Sequence, residues 1–149
     1  MNIDLNDLRR RGAKKSWFSF AFIPDEELMS LPDGKFSEKA RIDGEVEVYE
    51  DKAFLTGKLV FGIDANCSRC LKDAHADITV EFDEEFRPAP CDDEDVNVYE
   101  KDKIDVTALA KQLILTNMPY AIYCREDCKG LCPVCGKDLN EGDCGCNKN

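Results

Sequence analysis

Apolar residues recur with two different periods along this chain, and the change of period divides it. Up to about residue 86 the spacing is two, the period of strands. The run "SWFSFAFI" (16–23) is largely apolar and aromatic, as expected of a buried strand. "GEVEVYE" (Gly44–Glu50) alternates Val46 and Val48 with glutamates, the pattern of a strand with one wet face. After "EDK", which reads as a hairpin turn, "AFLTGKLVFGIDA" (Ala53–Ala65) predicts its partner. "ADITVEFDEEF" (Ala76–Phe86) places Ile78, Val80 and Phe82 on one face of a further strand. Together these predict an antiparallel sheet or small open barrel.

The period then changes. "DVTALAKQLILTNMP" brings Val106, Leu109, Ala110, Leu113 and Ile114 onto one helical face, with Asp105 as N-cap and Pro119 as stop. The expected fold is therefore mainly β with one principal α-helix (α+β) at about 105–117. Residues 120–149 are poor in apolar side chains and rich in cysteine, and are expected to form a zinc-ribbon-like tail packed on a core of 16–119.

Charge sharpens the boundaries. Residues 1–15 carry "RRRGAKK", five bases in seven residues, and are expected to be a flexible basic N-terminus. Between Glu81 and Asp102 ten acids face two bases, so 87–103 reads as an acidic loop. The whole chain has a formal charge of −11, which argues against a general phosphate-neutralising nucleic-acid binder and for a positively charged partner. The start has no apolar signal-peptide region, and no run of eighteen apolar residues occurs, so the reading expects no membrane contact and a cytoplasmic location. In that compartment thiols stay reduced, and the nine cysteines, an odd number, cannot all pair within one chain.

Metal is the better account of them. Eight come in pairs: Cys67 and Cys70 in "CSRC", Cys124 and Cys128 in "CREDC", Cys132 and Cys135 in "CPVCG", Cys144 and Cys146 in "CGC". Cys91 stands alone. Four thiolates suit tetrahedral zinc, and eight suggest two structural Zn2+ ions. One grouping joins Cys132, Cys135, Cys144 and Cys146 as a local ribbon, leaving Cys67, Cys70, Cys124 and Cys128 as a site that pins the tail to the sheet. A rival grouping gathers Cys124, Cys128, Cys132 and Cys135. Closed four-thiolate sites leave no coordination position for substrate, and no P-loop, dinucleotide fingerprint, "GxSxG" or "HExxH" occurs. The single histidine, His75, reads as an exposed strand residue. No enzyme and no small-molecule substrate are expected.

"CSRCL", "IDVTALAKQLILTNMP" and "DCKGLCPVCGKDLNEGDCGC" together resemble the bacterial YceD family of large ribosomal RNA subunit accumulation proteins. The resemblance implies a role in 23S rRNA accumulation and large-subunit biogenesis without catalysis. It also implies that Cys67, Cys70, Cys124 and Cys128 form the older site, with the ribbon added. The partners expected are a 23S rRNA precursor, basic ribosomal proteins of the large subunit, or both, with the protein acting as an adaptor. From charge placement, Arg9, Arg10, Arg11, Lys14 and Lys15, with Arg69 and Lys72 beside the first knuckle, are the residues expected to meet phosphate. Two other functions compete: a thiol–disulfide or metal-handling protein using its CxxC pairs, and a zinc-ribbon interaction module linked to transcription.

Overall fold

The computed structural model describes residues 1–146. Its elements in chain order are β1 (Asn2–Asp4), α1 (Leu5–Arg10), β2 (Lys15–Phe22), β3 (Lys35–Phe36), β4 (Ala40–Val48), β5 (Ala53–Asn66), β6 (Asp73–Pro88), β7 (Asn97–Tyr99), β8 (Lys103–Asp105) and α2 (Val106–Asn117). The main sheet is open and runs in the order β2-β4-β5-β6-β7, with β3 alongside β5. All its pairings are antiparallel except the short β6–β7 pair. β1 and β8 form a second, two-stranded sheet.

Alternation decides which sheet face is dry. On β4, Ala40, Ile42, Val46 and Val48 point one way and are buried, while Arg41, Asp43, Glu45 and Glu47 point the other. The register carries that face onto Leu55, Leu59, Phe61 and Ile63 of β5 and Val80, Phe82 and Phe86 of β6, all buried. Gly44 lies directly opposite Gly57, and a Cβ on Gly57 would run into the Asp43 carbonyl. The bare pair lets two strands approach closely where side chains would hold them apart, and the Phe18 ring fills the space over Gly44.

α2 contributes Val106, Leu109, Ala110, Leu113 and Ile114 to the same core. Each of the Val, Leu and Ile side chains, when fully buried, stabilises the fold by about 1.5–3 kcal/mol relative to exposure. The Asp105 carboxylate accepts from the amides of Thr107 (2.9 Å) and Ala108 (3.3 Å), capping the first turn. The helix ends at Met118, whose extended backbone is what a following proline requires. No helix among the described residues is long and apolar enough to cross a membrane.

Three expectations need correction. The first fifteen residues are not a loose arm: Ile3, Leu5 and Leu8 are buried, β1 pairs with β8, and Asp4 caps α1. The apolar positions that anchor this segment are few and scattered among charges, so its composition looks like that of a tail. "SWFSFAFI" is not a buried strand. β2 is the edge of the sheet, with Trp17 78% exposed and Phe18, Phe20 and Phe22 only half-buried. The acidic stretch 87–103 is not one loop, because β6 runs through to Pro88 and β7 and β8 follow. Tyr99, fully inside it by sequence, is buried in the core. The cysteine tail bonds the β5–β6 turn, where the Ser68 amide donates to the Ile122 carbonyl and the Leu131 amide to the Arg69 carbonyl, and residues 147–149 fall outside the described residues.

Candidate metal centres

The "CSRC" turn closes the longest hairpin of the sheet, between Asn66 of β5 and Asp73 of β6. The Leu71 amide donates to the Cys67 carbonyl (3.0 Å), and the Cys67 amide donates to the Lys72 carbonyl (2.7 Å). The same two bonds recur in "CPVCG": Gly136 to Cys132 (2.8 Å) and Cys132 to Lys137 (2.8 Å). In each knuckle the residue after the second cysteine is left-handed, with φ of 63° at Leu71 and 74° at Gly136. Glycine adopts that conformation freely and leucine does not. The two knuckles are one local structure built from two sequences.

The eight paired cysteines gather into two groups: Cys67, Cys70, Cys124 and Cys128, and Cys132, Cys135, Cys144 and Cys146. Within each group all Sγ atoms lie within 4.8 Å of one another. Cys67 and Cys128 Sγ are 3.8 Å apart, and Cys70 and Cys124 Sγ 3.6 Å. Four sulfurs at about 2.3 Å around a tetrahedral ion would be about 3.8 Å apart, so the geometry fits such an ion. The rival grouping of Cys124, Cys128, Cys132 and Cys135 is not the one the fold assembles, and Cys91 belongs to neither group.

Electrostatics agree with a cationic occupant. Burial pushes the Cys67 thiol up, but the backbone amides of Cys124, Cys70 and Arg69 pull harder and bring it down to about 6. The amides of Cys135 and Val134 bring Cys132 down to about 6 as well. The last sulfurs to ionise suffer for it. Burial and its thiol neighbours push Cys124 up to about 12, and hydrogen bonding with Cys135 and Cys144 does the same to Cys146. Each cluster therefore holds thiolate readily and full ionisation poorly, a conflict that a bound divalent cation removes.

The ribbon is docked on the first group through named polar contacts. The Asn140 side chain donates to Cys128 Sγ (3.5 Å) and accepts from the Lys129 amide and the Arg125 guanidinium (both 2.8 Å). The Leu131 amide donates to the Arg69 carbonyl (3.1 Å), and Gly130 passes so close that an added Cβ would lie 3.0 Å from that oxygen. Lys72 reaches Asp138 (2.7 Å) and Glu141 (3.0 Å). Contact with Lys72 holds the Asp138 carboxyl down at about 2. Asn140 and Asp138 escaped sequence reasoning, although their position inside "GKDLNEGD", between the ribbon's cysteine pairs, marks where a docking contact would fall.

The bases expected to meet phosphate are mostly engaged elsewhere. Arg69 donates to the carbonyls of Cys128 (3.0 Å) and Glu126 (3.3 Å) and lies 4.4 Å over the Tyr123 ring. Arg9 pairs with Asp102 and donates to Tyr99 (3.3 Å). Arg11 pairs with Asp7 (2.9 Å), and Lys15 with Glu45 (3.0 Å) and Glu47 (3.5 Å). Arg10 and Lys14 are exposed and carry no ion pair among the described residues. His75 is an exposed strand residue, held between Asp64 (2.7 Å) and Asp77 (3.1 Å).

Comparison with known proteins follows the same outline. The uncharacterized protein Rv2926c of Mycobacterium tuberculosis is 29% identical, over 93% of this chain and 70% of the relative. The uncharacterized protein YlbN of Bacillus subtilis is 37% identical over a shorter stretch, 48% of this chain and 44% of its own length. No solved structure matches. The profile of the YceD family, described as large ribosomal RNA subunit accumulation protein, matches residues 55–149, from β5 through both cysteine groups. The long β5–β6 hairpin, its knuckle, α2 and the cysteine tail are thus the part shared with that family, and the chain belongs to the YceD family.

Proposed function

We propose that this protein is a non-catalytic, zinc-bound factor that supports accumulation of 23S rRNA during large-subunit biogenesis, working as an adaptor by protein contact. Family membership carries the process. The mechanism rests on the two four-thiolate groups, which fit zinc in closed, structural coordination and leave no ligand position for a substrate. Zinc at the first group would tie the β5–β6 turn to the segment after α2, and zinc at the second would close the ribbon.

The charge pattern favours a protein over bare RNA as the direct partner. The net charge is −11, and of the seven bases expected to meet phosphate only Arg10 and Lys14 are without a partner among the described residues. An RNA-binding face held by phosphate contacts needs several free cations on one surface. Thiol–disulfide exchange is disfavoured by the same geometry, since each CxxC has its sulfurs shared with a second pair.

Depletion in cells followed by gradient sedimentation tests the process. The expected outcome is a fall in 23S rRNA relative to 16S and accumulation of large-subunit precursors that co-sediment with the protein. Unchanged precursor profiles would defeat the reading. Elemental analysis of the purified chain is expected to give about two zinc per chain. Iron in its place would overturn the choice of metal.

A further inference from the structure

β2 closes the main sheet on one side, with no strand beyond it among the described residues. In an antiparallel pair, alternate residues aim both backbone groups at the partner, and the residues between aim theirs away. The Val48 amide donates to the Lys14 carbonyl at 2.7 Å, and the β2–β4 register continues in step from there, Ser16 opposite Val46 and Phe18 opposite Gly44. The even-numbered residues therefore bond β4. Lys15, Trp17, Ser19 and Ala21 leave their N–H and C=O groups along an open edge eight residues long. Edge strands are commonly blunted by proline, bulges or strand charges. β2 has no proline, pairs with β4 without a bulge, and its single charge, Lys15, is already held by Glu45 and Glu47.

Beside that edge stands the chain's one tryptophan. Trp17 is 78% exposed and shares a cross-strand row with Glu45, Thr56 and Asp83 on the wet sheet face. It forms one wall of a trough of about 640 Å³, whose charged lining is Asp43, Glu45, Glu81 and Asp83 against Lys58. Glu81 and Asp83 have no ion-pair partner among the described residues. An exposed indole next to surplus carboxylate is suited to a guanidinium or ammonium group, whose charge is attracted by both the ring face and the acids.

We propose that the β2 edge receives a Lys/Arg-rich extended protein segment as an added strand, with a basic side chain laid over Trp17 toward the acidic row. This deepens the adaptor reading by supplying its surface and the chemistry of its partner. Backbone pairing along Lys15–Ala21 would give affinity, and the Trp17 row would select for positive charge. A second copy of the chain would bring two bodies of charge −11 together, and nucleic acid would meet the same repulsion.

The full-length, zinc-loaded protein can be titrated with a Lys-Val alternating peptide, a Glu-Val alternating peptide and a single-stranded RNA oligonucleotide. Trp17 fluorescence and amide hydrogen exchange are the readouts. The basic peptide is expected to shift the emission saturably, more weakly as salt rises, and to slow exchange at Lys15, Trp17, Ser19 and Ala21. Ala21→Pro removes an outward N–H and leaves the β4 ladder whole, so at least a tenfold loss of affinity is expected with zinc content unchanged. Trp17→Ala, read by exchange alone, and Asp83→Lys are expected to weaken binding several-fold. No protection of the four amides, equal response to the acidic peptide, preferential response to RNA, or the same protection from self-association alone would each overturn the proposal. If it fails while the protein still co-sediments with large-subunit precursors, the adaptor reading stands and only this surface is wrong.

Discussion

The two cysteine groups have the same four ligands and nearly the same knuckle, yet they do different work. In the first, Cys67 meets Cys128 across 61 residues and Cys70 meets Cys124 across 54, and Cys67, Cys70 and Cys128 are buried in the core. In the second, all four cysteines lie between residues 132 and 146, Cys135 is exposed and only Cys132 is buried. An ion at the first would cross-link distant parts of the chain, and an ion at the second would organise a tail that has little core of its own. The comparison teaches that ligand spacing sets whether a metal builds a tertiary contact or a local turn.

Removing a ligand from each group gives the largest expected contrast. Cys67→Ser should release one metal and cost about 3–5 kcal/mol of global stability, because it opens the buried cross-link and leaves the Cys70 and Cys128 thiols unliganded in the core. Cys135→Ser should also release one metal but leave the unfolding transition of the sheet near its original place. Metal content and thermal melts of the two variants side by side decide this, and equal destabilisation would erase the distinction.

Asn140 is where the groups touch, so it tests their independence. Asn140→Ala removes the donor to Cys128 Sγ and strands the Lys129 amide, an expected loss of about 1–2 kcal/mol. Competition with a chromophoric chelator should show faster release from the first group and an unchanged rate from the second. A change confined to the second group would mean that the ribbon does not brace the first.

Leu71 sharpens the comparison of knuckles. It occupies, with φ of 63° and 64% of its surface exposed, the position that Gly136 fills in the ribbon. Leu71→Gly should raise stability by about 1 kcal/mol, since relief of the left-handed strain outweighs the little burial lost. Denaturant unfolding checks it, and a loss of stability would show that the leucine side chain has a packing role.

The smallest effect is expected at His75, which clamps the stem of the hairpin carrying the first knuckle. Its hydrogen bonds to the carboxylates of Asp64, then Asp77, raise its pKa. A raised histidine stabilises fully below its unfolded value of about 6.5 and loses that contribution as pH climbs through the folded value. The stability difference between the natural chain and His75→Gln should thus shrink from pH 5.5 to pH 9. A difference that stayed constant would remove the charged histidine from the account.

The wet-and-dry alternation of β4, the apolar stripe of α2 and its Asp105 cap were legible because each is a local pattern with a fixed period. The presence of metal-type cysteine pairs was legible for the same reason. β2 was misread: an aromatic run has the same composition at an edge as in a core, and only strand order separates the two. The N-terminal segment was misread because Ile3, Leu5 and Leu8 follow neither period across a strand–helix junction. The fate of Arg69 and Lys72 was invisible, since their partners lie more than fifty residues away.

By itself the sequence determined β4, β5, β6, α2 and two knuckles of metal-binding type, because those features are set by residues within one turn or one hairpin of each other. The tertiary structure decided which four thiols share a site, which bases are already neutralised and which strand is left open at the sheet's edge. Those outcomes depend on contacts between parts of the chain that no spacing rule connects, and they exist only once the sheet, α2 and the tail have packed.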